Sequence, residues 1–262
     1  MTFSRTIKLH IEYDGTSFNG WQNQAKGRGV TVQGAVEKAL SQLCKEKIKV
    51  AGSSRTDAGV HAFDQVATFK TKSTLPLQAF QKGLNTFLVP EVRVRKAEEM
   101  DASFHALRNA KGKIYSYYVL SGKTSSPIAK NHVYFFPYTL NFSAMKKAAK
   151  QLVGKHDFSS FRSSRSTAKT SVRTIHSFQV KVVKDSLFMP KENTEGTLYC
   201  FTVKANGFLH NQVRTMVGTL LDVGREKIKP EDIKKIISAK KRSAAGKCLP
   251  GHALYLIKTL YA

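Results

Sequence analysis

The segment TIKLHIEY, residues 6–13, has an apolar side chain at every second position. Strict alternation of this kind is typical of a strand with one buried face. The segment TVQGAVEKALSQLCK, residues 31–45, instead has apolar side chains at helical spacing, with Thr31 as the predicted N-cap. The chain therefore begins with a strand that is followed by a helix.

The rest of the first half extends this order. Two short strands are predicted at 47–52 and 64–70, a helix at 74–89 and a strand at 91–97. The predicted order is βαββαβ, which is the split βαβ pattern of ferredoxin-like folds.

The second half repeats the order loosely. Its predicted elements are strands at 113–120 and 132–137, a helix at 141–154, a hairpin of 172–183 with 197–205, helices at 208–224 and 229–241, and an apolar strand at 253–261. We therefore predict an α+β fold of two ferredoxin-like subdomains with antiparallel sheets, residues 1–108 and 109–262. Two such halves imply a cleft between them, which is a common place for a site.

The charge balance is strongly positive, with 43 Lys and Arg against 18 Asp and Glu and a net charge of +25. Such a charge attracts polyanions and indicates a nucleic-acid partner, the alternative being a solvated lysine-rich surface. The excess is uneven, because residues 141–184 contain ten Lys or Arg and a single acid, Asp157.

Other bulk features exclude several classes of protein. Apolar residues make up 41% of the chain, yet no apolar run approaches the roughly 20 residues of a membrane span. The alternating N-terminus is not a signal peptide. Three cysteines without CxxC spacing argue against a disulfide framework or a zinc site, and they favour a reducing cytoplasm.

The segment AGSSRTDAGVHAFD, residues 51–64, connects two predicted strands and is longer than a hairpin turn requires. Asp57 has two interpretations. It is either a turn former, since Asp and Gly are common in turns, or an ionised carboxylate that acts as a nucleophile. Arg55 favours the second, because a neighbouring cation typically lowers the pKa of a carboxyl group by ~1–3 units.

At these residues the chain resembles a known family. RTDAGVHA, residues 55–62, matches the signature of tRNA pseudouridine synthases of the TruA type. Further segments resemble the motifs of that family in the same order along the chain: YDGTSFNGWQNQ (13–24), SFHALRNAKGKIYSYYV (103–119), GKHDFSSFRSS (154–164) and NGFLHNQVRTMVGTLLDVG (206–224). The likeness covers nearly the whole chain.

The resemblance implies two α/β subdomains that flank a basic RNA-binding cleft, in a homodimer without metal or organic cofactor. It implies conversion of uridine to pseudouridine at positions 38, 39 and 40 of the tRNA anticodon stem-loop. Carried over residue by residue, the essential nucleophile is Asp57 and the arginine of the signature is Arg55. The strand tyrosine is Tyr115, and the arginine of the helix is Arg214.

The reaction itself sets chemical demands. The C1′–N1 bond breaks, uracil turns within the site, and C1′ joins C5. A carboxylate can attack C1′, add to C6, or take the C2′ proton, and the sequence does not choose among these. Tyr115 is the candidate for removing the C5 hydrogen or for stacking on the base, and its alternative is an ordinary core tyrosine. The base must also leave the RNA stack.

Further cationic and aromatic residues suit RNA contact. Arg214 is predicted to pair with Asp57 or to bind a phosphate, unless it is a helix-surface arginine. Phe158, Arg162 and Arg165 mix an aromatic ring with cations, as in proteins that bind RNA loops, and a partly packed loop is the alternative. Asp14 and Trp21 are predicted to be architectural.

Four positions depart from the pattern of the family: Ser54 replaces a common glycine, Thr215 a usual asparagine, and Leu249 and Ala253 replace small residues and glycine. Two rival functions are also considered. One is a catalytically inactive tRNA-binding or chaperone module. The other is a nucleotide hydrolase, which requires a second carboxylate. For that role only Asp64 is near, and it is expected on the following strand.

Overall fold

The computed structural model describes residues 4–24, 29–164, 166–184 and 196–262. It contains two compact units, the first formed by Met1–Lys111 with Tyr255–Ala262 and the second by Gly112–Leu254. Each unit combines a β-sheet with helices, which confirms the predicted α+β class. Among the described residues, no helix has both the length and the apolar character needed to cross a bilayer.

The elements follow the predicted order closely. The strands are β1 (Arg5–Tyr13), β2 (Val50–Gly52), β3 (His61–Thr71), β4 (Val92–Met100), β5 (Gly112–Gly122), β6 (Tyr134–Phe136), β7 (Gly154–Asp157), β8 (Val172–Val183), β9 (Gly196–Ala205) and β10 (Leu254–Leu260). The α-helices are α1 (Val32–Cys44), α2 (Leu84–Phe87), α3 (Phe142–Gln151), α4 (Gln212–Gly224) and α5 (Asp232–Ala239). A π-helical segment, Ala79–Gly83, precedes α2.

In the first unit, β1 lies between β4 and β3 and is antiparallel to both. The short strand β2 is antiparallel to β3, with Val50 opposite Phe69. The other end of β3 pairs with β10 in parallel, through Tyr255 opposite His61. This arrangement places the start of β3, which follows the Asp57 loop, between two strands.

The position of β10 differs from the sequence expectation. Residues 253–261 were assigned to the second subdomain, 109–262, whereas residues 255–262 belong to the first unit. The reason is the parallel pairing of β10 with β3, a contact between segments about 200 residues apart that periodicity does not reveal.

The helix predicted at 74–89 is interrupted by its π-helical segment, which has more residues per turn than an α-helix and therefore shifts the apolar stripe. Helical spacing places Phe80, Leu84 and Phe87 on one stripe, and the first two are fully buried, but Phe87 is 49% exposed. By contrast α1 is regular, and the Thr31 side chain accepts a hydrogen bond from the Gly34 amide at 3.2 Å, as expected of its N-cap.

In the second unit the strand order is β5-β9-β8-β7, and each neighbouring pair is antiparallel. The predicted hairpin of 172–183 with 197–205 is present as β8 and β9. The strand β6 pairs in parallel with β5. Helix α4 packs against β5 and helix α3 against β8, so one face of this sheet is covered by helices.

Candidate active site

The loop between β2 and β3, residues 53–60, carries Asp57. The amide of Val60 donates to the Asp57 carbonyl at 3.2 Å, and Gly59 has φ +74°, so Asp57 opens a tight turn. Its side chain is half-buried, whereas Arg55 is exposed. The turn geometry is compatible with both interpretations of Asp57, because it fixes the backbone and leaves the carboxylate half-exposed.

Two glycines of the segment 13–24 allow it to lie directly against this loop. A Cβ atom on Gly20, which has φ +82°, would lie 2.4 Å from the Thr56 carbonyl oxygen, and one on Gly15 would lie 2.1 Å from that of Val60. The Trp21 amide donates to the Thr56 carbonyl at 3.1 Å. The two motifs nearest the N-terminus therefore form one packed structure, in which only glycine permits the observed approach.

Polar side chains hold the other parts of the loop. The side-chain Nε2 of Gln65, on β3, donates to the Ser54 carbonyl at 2.7 Å, and the Ser53 hydroxyl donates to Gln65 Oε1 at 2.9 Å. The hydroxyls of Tyr13 and Thr56 are 2.7 Å apart and buried. Hydrogen bonds on both sides of Arg55 thus fix the backbone that leads to Asp57.

The architectural predictions for Asp14 and Trp21 are confirmed. Asp14 Oδ1 accepts from the Thr16 amide at 2.8 Å, in a turn at the end of β1. Trp21 is 1% exposed, and a Cβ on Gly52 would lie 2.3 Å from its indole Nε1, so the indole packs on the end of β2.

Asp64 lies on β3, as expected, and not at the tip of the loop. Its Oδ1 is 2.6 Å from His10 Nδ1, and Glu98 Oε2 is 2.9 Å from the other nitrogen of that ring. Hydrogen bonding by Lys96 is the largest cause that lowers the pKa of Glu98, to about 2, despite partial burial. Asp64 is therefore part of a structural network on β1, β3 and β4.

Tyr115 lies on β5, where its ring packs edge-to-face on Phe208 with the centroids 5.3 Å apart. Tyr117, two residues along the same face, is fully buried and donates its hydroxyl to the Pro250 carbonyl at 2.9 Å. Burial raises the pKa of Tyr117 well above its usual value, against the opposing charge of Arg214. Tyr117 is therefore a neutral core residue beside Arg214.

Arg214 is oriented by backbone and side-chain acceptors of its own unit. Its Nε donates to the Leu249 carbonyl at 2.6 Å and its Nη1 to Asn211 Oδ1 at 2.9 Å. Sequence reasoning did not identify these two partners of Arg214. Asn211 was detectable three residues before Arg214 in the helix motif, but Leu249, 35 residues away, carried no local signal.

The RNA-contact residues predicted at 158–165 have different positions. Phe158 is fully buried between His156 and Phe161, so it is a core residue and its ring is not available for stacking on a base. Arg162 is half-exposed, and the following amide, that of Ser163, donates to the His210 carbonyl at 2.9 Å, next to α4. Arg165 lies outside the described residues.

Two of the departures from the family pattern bury a polar group. Ser54 Oγ and Thr215 Oγ1 are buried and have no hydrogen-bond partner in the described part of the chain. Leu249 is 3% exposed and packs on Gly218 of α4, while Ala253 is fully buried. All four substitutions are thus accommodated in the interior.

Each unit therefore brings part of the predicted site together. The first unit places Arg55 and Asp57 on one braced loop. The second unit places Tyr115, Arg162 and Arg214 around the start of α4.

Comparison with known proteins identifies the family. A family model described as tRNA pseudouridine synthase matches residues 9–107 and 148–262, more than half of the chain. The chain belongs to the tRNA pseudouridine synthase family. The match to this family includes the Asp57 loop and the α4 helix, and it excludes the segment 108–147 that contains Tyr115.

Relatives from bacteria extend the match across this segment. The chain is 41% identical to tRNA pseudouridine synthase A of Acetivibrio thermocellus and 44% identical to that of Clostridium botulinum Eklund 17B. It is 43% identical to tRNA pseudouridine synthase A 2 of Clostridium perfringens strain 13. Each alignment covers 98% of this chain and 100% of the relative.

A solved archaeal box H/ACA sRNP Nop10–Cbf5 complex aligns at a TM-score of 0.31 with 10% identity, over 82% of this chain and 43% of that chain. A similarity this weak carries no argument.

Proposed function

We propose that this protein is an isomerase that converts uridine to pseudouridine in the anticodon stem-loop of tRNA, at positions 38, 39 and 40. The observation that carries the proposal is the match, over 98% of the chain, to relatives named tRNA pseudouridine synthase A. The net charge of +25 agrees with an RNA substrate. The alternative of an inactive binding module is not favoured, because the signature loop with Asp57 is intact and braced.

In this proposal Asp57 is the carboxylate that acts on the nucleoside. The packed contacts of Gly15 and Gly20 support this role, because they fix the backbone of the loop before substrate binds. The three routes stay open: attack on C1′, addition to C6, or removal of the C2′ proton. In each of them the C1′–N1 bond breaks, the C1′–C5 bond forms, C5 loses its proton and N1 gains one.

Tyr115 and Arg214 are proposed to serve the same reaction. Tyr115 is 8% exposed and packs edge-to-face on Phe208, and its proposed role is to stack on the base or to take the C5 proton. The acceptors at Leu249 and Asn211 hold the Arg214 guanidinium in one orientation, which suits pairing with a carboxylate or a phosphate. Arg55 and Arg162, both on the protein surface at least in part, are proposed to contact RNA phosphates.

The finer structural and cellular expectations are also proposals. The strand order β4-β1-β3-β2 of the first unit supports a ferredoxin-like subdomain. A basic RNA-binding cleft is supported by the excess of Lys and Arg. A homodimer that acts without a cofactor follows from the resemblance to the family, and a cytoplasmic location follows from the three cysteines without CxxC spacing.

The discriminating experiment incubates the protein with tRNA that carries tritium at C5 of uridine, without added metal. An isomerase releases tritium from the anticodon arm and forms pseudouridine at 38, 39 or 40. Retained label contradicts the proposal and favours a binding module. Free uracil would instead identify a hydrolase.

A further inference from the structure

The residue pair Lys113 and Arg173 lies in the second unit and has no assigned role. Lys113 opposes Ala205 across β5 and β9, and Ala205 opposes Ile175 across β9 and β8. Arg173 precedes Ile175 by two residues, so the alternation of strands puts it on the same sheet face as Lys113. Tyr115 lies on this face too, two residues after Lys113.

The charges of the two cations repel each other, and no acidic partner lies near them in the described part of the chain. Burial, and secondly the charge of Arg173, lower the pKa of Lys113 to about 8. Burial also lowers the pKa of Arg173. In the described residues neither side chain forms an ion pair with a carboxylate. Two partly buried like charges are unfavourable side by side, and a bound anion would relieve both the repulsion and the desolvation.

Arg173 is already oriented for such an anion. Its Nη1 donates to the carbonyls of Thr170 at 2.9 Å and Val172 at 2.7 Å, which fixes the plane of the guanidinium. A guanidinium has five N–H donors, so others remain to bind a ligand. A Cβ atom on Gly207 would lie 3.8 Å from Arg173 Nε. The residue after Gly207 is Phe208, whose ring packs on that of Tyr115.

Among the described residues, the acids of the neighbouring elements, Asp157 of β7 and Asp222 of α4, do not shift the pKa of Lys113 or of Arg173. His156 of β7 is directly opposite Arg173, Tyr115 follows Lys113 on β5, and Arg214 projects from α4, which packs on β5. The local field therefore selects an anion. A phosphate group has the oxygen atoms that a guanidinium and an ammonium bind together.

We propose that Lys113 and Arg173 together bind one phosphodiester group of the tRNA substrate, beside the nucleotide that Tyr115 contacts. The proposal rests on the proposed function, because it takes tRNA as the ligand. It adds a phosphate site at two specified residues, separate from the Asp57 loop. The site anchors the backbone next to the base that must leave the stack.

The proposal predicts a specific pH dependence of tRNA binding. In the free protein Lys113 loses its proton as the pH rises through about 8, whereas a bound phosphate returns its pKa toward the ordinary value for lysine, about 10.4. The affinity is therefore full below pH 8 and falls above it. Between pH 7 and pH 9.5 the loss attributable to Lys113 is on the order of tenfold.

The test measures dissociation constants of tRNA on ice at fixed ionic strength, from pH 7 to pH 9.5. Lys113→Arg keeps its charge from pH 7 to pH 9.5. Over this range its affinity for tRNA should therefore fall about tenfold less than that of the wild type. Lys113→Met should bind more weakly already at pH 7, with a log–log salt slope shallower by about 0.7–0.9. The control Lys204→Met removes an exposed lysine of β9 on the other sheet face and should keep the pH profile of the wild type.

Parallel pH profiles for the wild type and Lys113→Arg would overturn the phosphate site, even if Lys113→Met folds poorly. If pseudouridine forms normally while the profiles are parallel, only this inference is wrong. If the profiles differ but no pseudouridine forms, the phosphate site stands and the proposed function fails. A wild type that does not bind tRNA contradicts both.

Discussion

The Asp57 loop of the first unit and the Arg214 helix of the second are fixed by different kinds of contact. The loop is held by hydrogen bonds and, in addition, by close backbone packing, since Gly15 and Gly20 leave no room for a side chain. The Arg214 side chain is oriented by hydrogen bonds that include those to the Leu249 carbonyl and to Asn211. A change around the loop should therefore damage the fold, whereas a change at Arg214 should damage the chemistry and leave the fold intact.

Gly20→Ala should have the largest effect on stability, a loss of about 3 kcal/mol in the free energy of unfolding. The new methyl group would meet the Thr56 carbonyl in a backbone conformation that alanine rarely adopts. Denaturant unfolding measures this loss. Gly83→Ala is the matched control, because its Cβ would meet only Leu43 Cδ1 at 3.6 Å and the residue is helical. Equal stability of the two variants would show that the close packing at Gly20 does not hold the Asp57 loop in place.

Arg214→Lys should lower the single-turnover rate of pseudouridine formation about 100-fold, or about 2.7 kcal/mol in activation free energy. Lysine keeps the charge but loses the fork that binds Leu249 and Asn211 at the same time. The unfolding free energy should change by less than about 1 kcal/mol. Arg225→Lys, at the other end of α4, is the control and should keep the rate. A large loss of stability without a loss of rate would show that Arg214 supports the fold and not the reaction.

Thr215→Val should have the smallest effect, a gain of about 1 kcal/mol in stability with unchanged activity. Valine has nearly the same shape and removes a buried hydroxyl that has no partner in the described residues. Thr219→Val, one turn later, is its control, because that hydroxyl donates to the Thr215 carbonyl and accepts from the Gly246 amide. Thr219→Val should lower the free energy of unfolding by about 1 kcal/mol, as measured by thermal unfolding. Equal losses in both variants would show that Thr215 has a partner.

Local patterns predicted the elements well, and long-range contacts explain what they missed. Strand β1 and the Thr31 cap of α1 follow from neighbouring residues, so the sequence predicted both. The pairing of β10 with β3 joins distant segments and was missed. Phe158, in a polar and basic stretch, was predicted to face RNA, but its packing on Phe161 buries it.

In the candidate site, too, some features follow from neighbouring residues and others depend on long-range contacts. Asp57 was identified from the signature of the family, and its neighbour Arg55 from the same eight residues. The support that fixes this loop comes from Gly15 and Gly20, whose close approach to Thr56 and Val60 depends on the folded backbone. A glycine in the sequence does not indicate which segment packs against it, so this contact is evident only from the folded structure.

The proposed reaction requires that the Asp57 carboxylate takes part in it and is not only a turn former. Asn tolerates the same turn, so Asp57→Asn keeps the backbone and replaces the carboxyl group by an amide. The decisive measurement is the single-turnover rate of tritium release from C5-labelled tRNA, together with tRNA affinity, for Asp57→Asn and for the control Asp64→Asn. We predict a fall of roughly 1,000-fold or more for Asp57→Asn, with affinity retained, and a nearly unchanged rate for Asp64→Asn. A rate for Asp57→Asn within about tenfold of the wild type would contradict the claim.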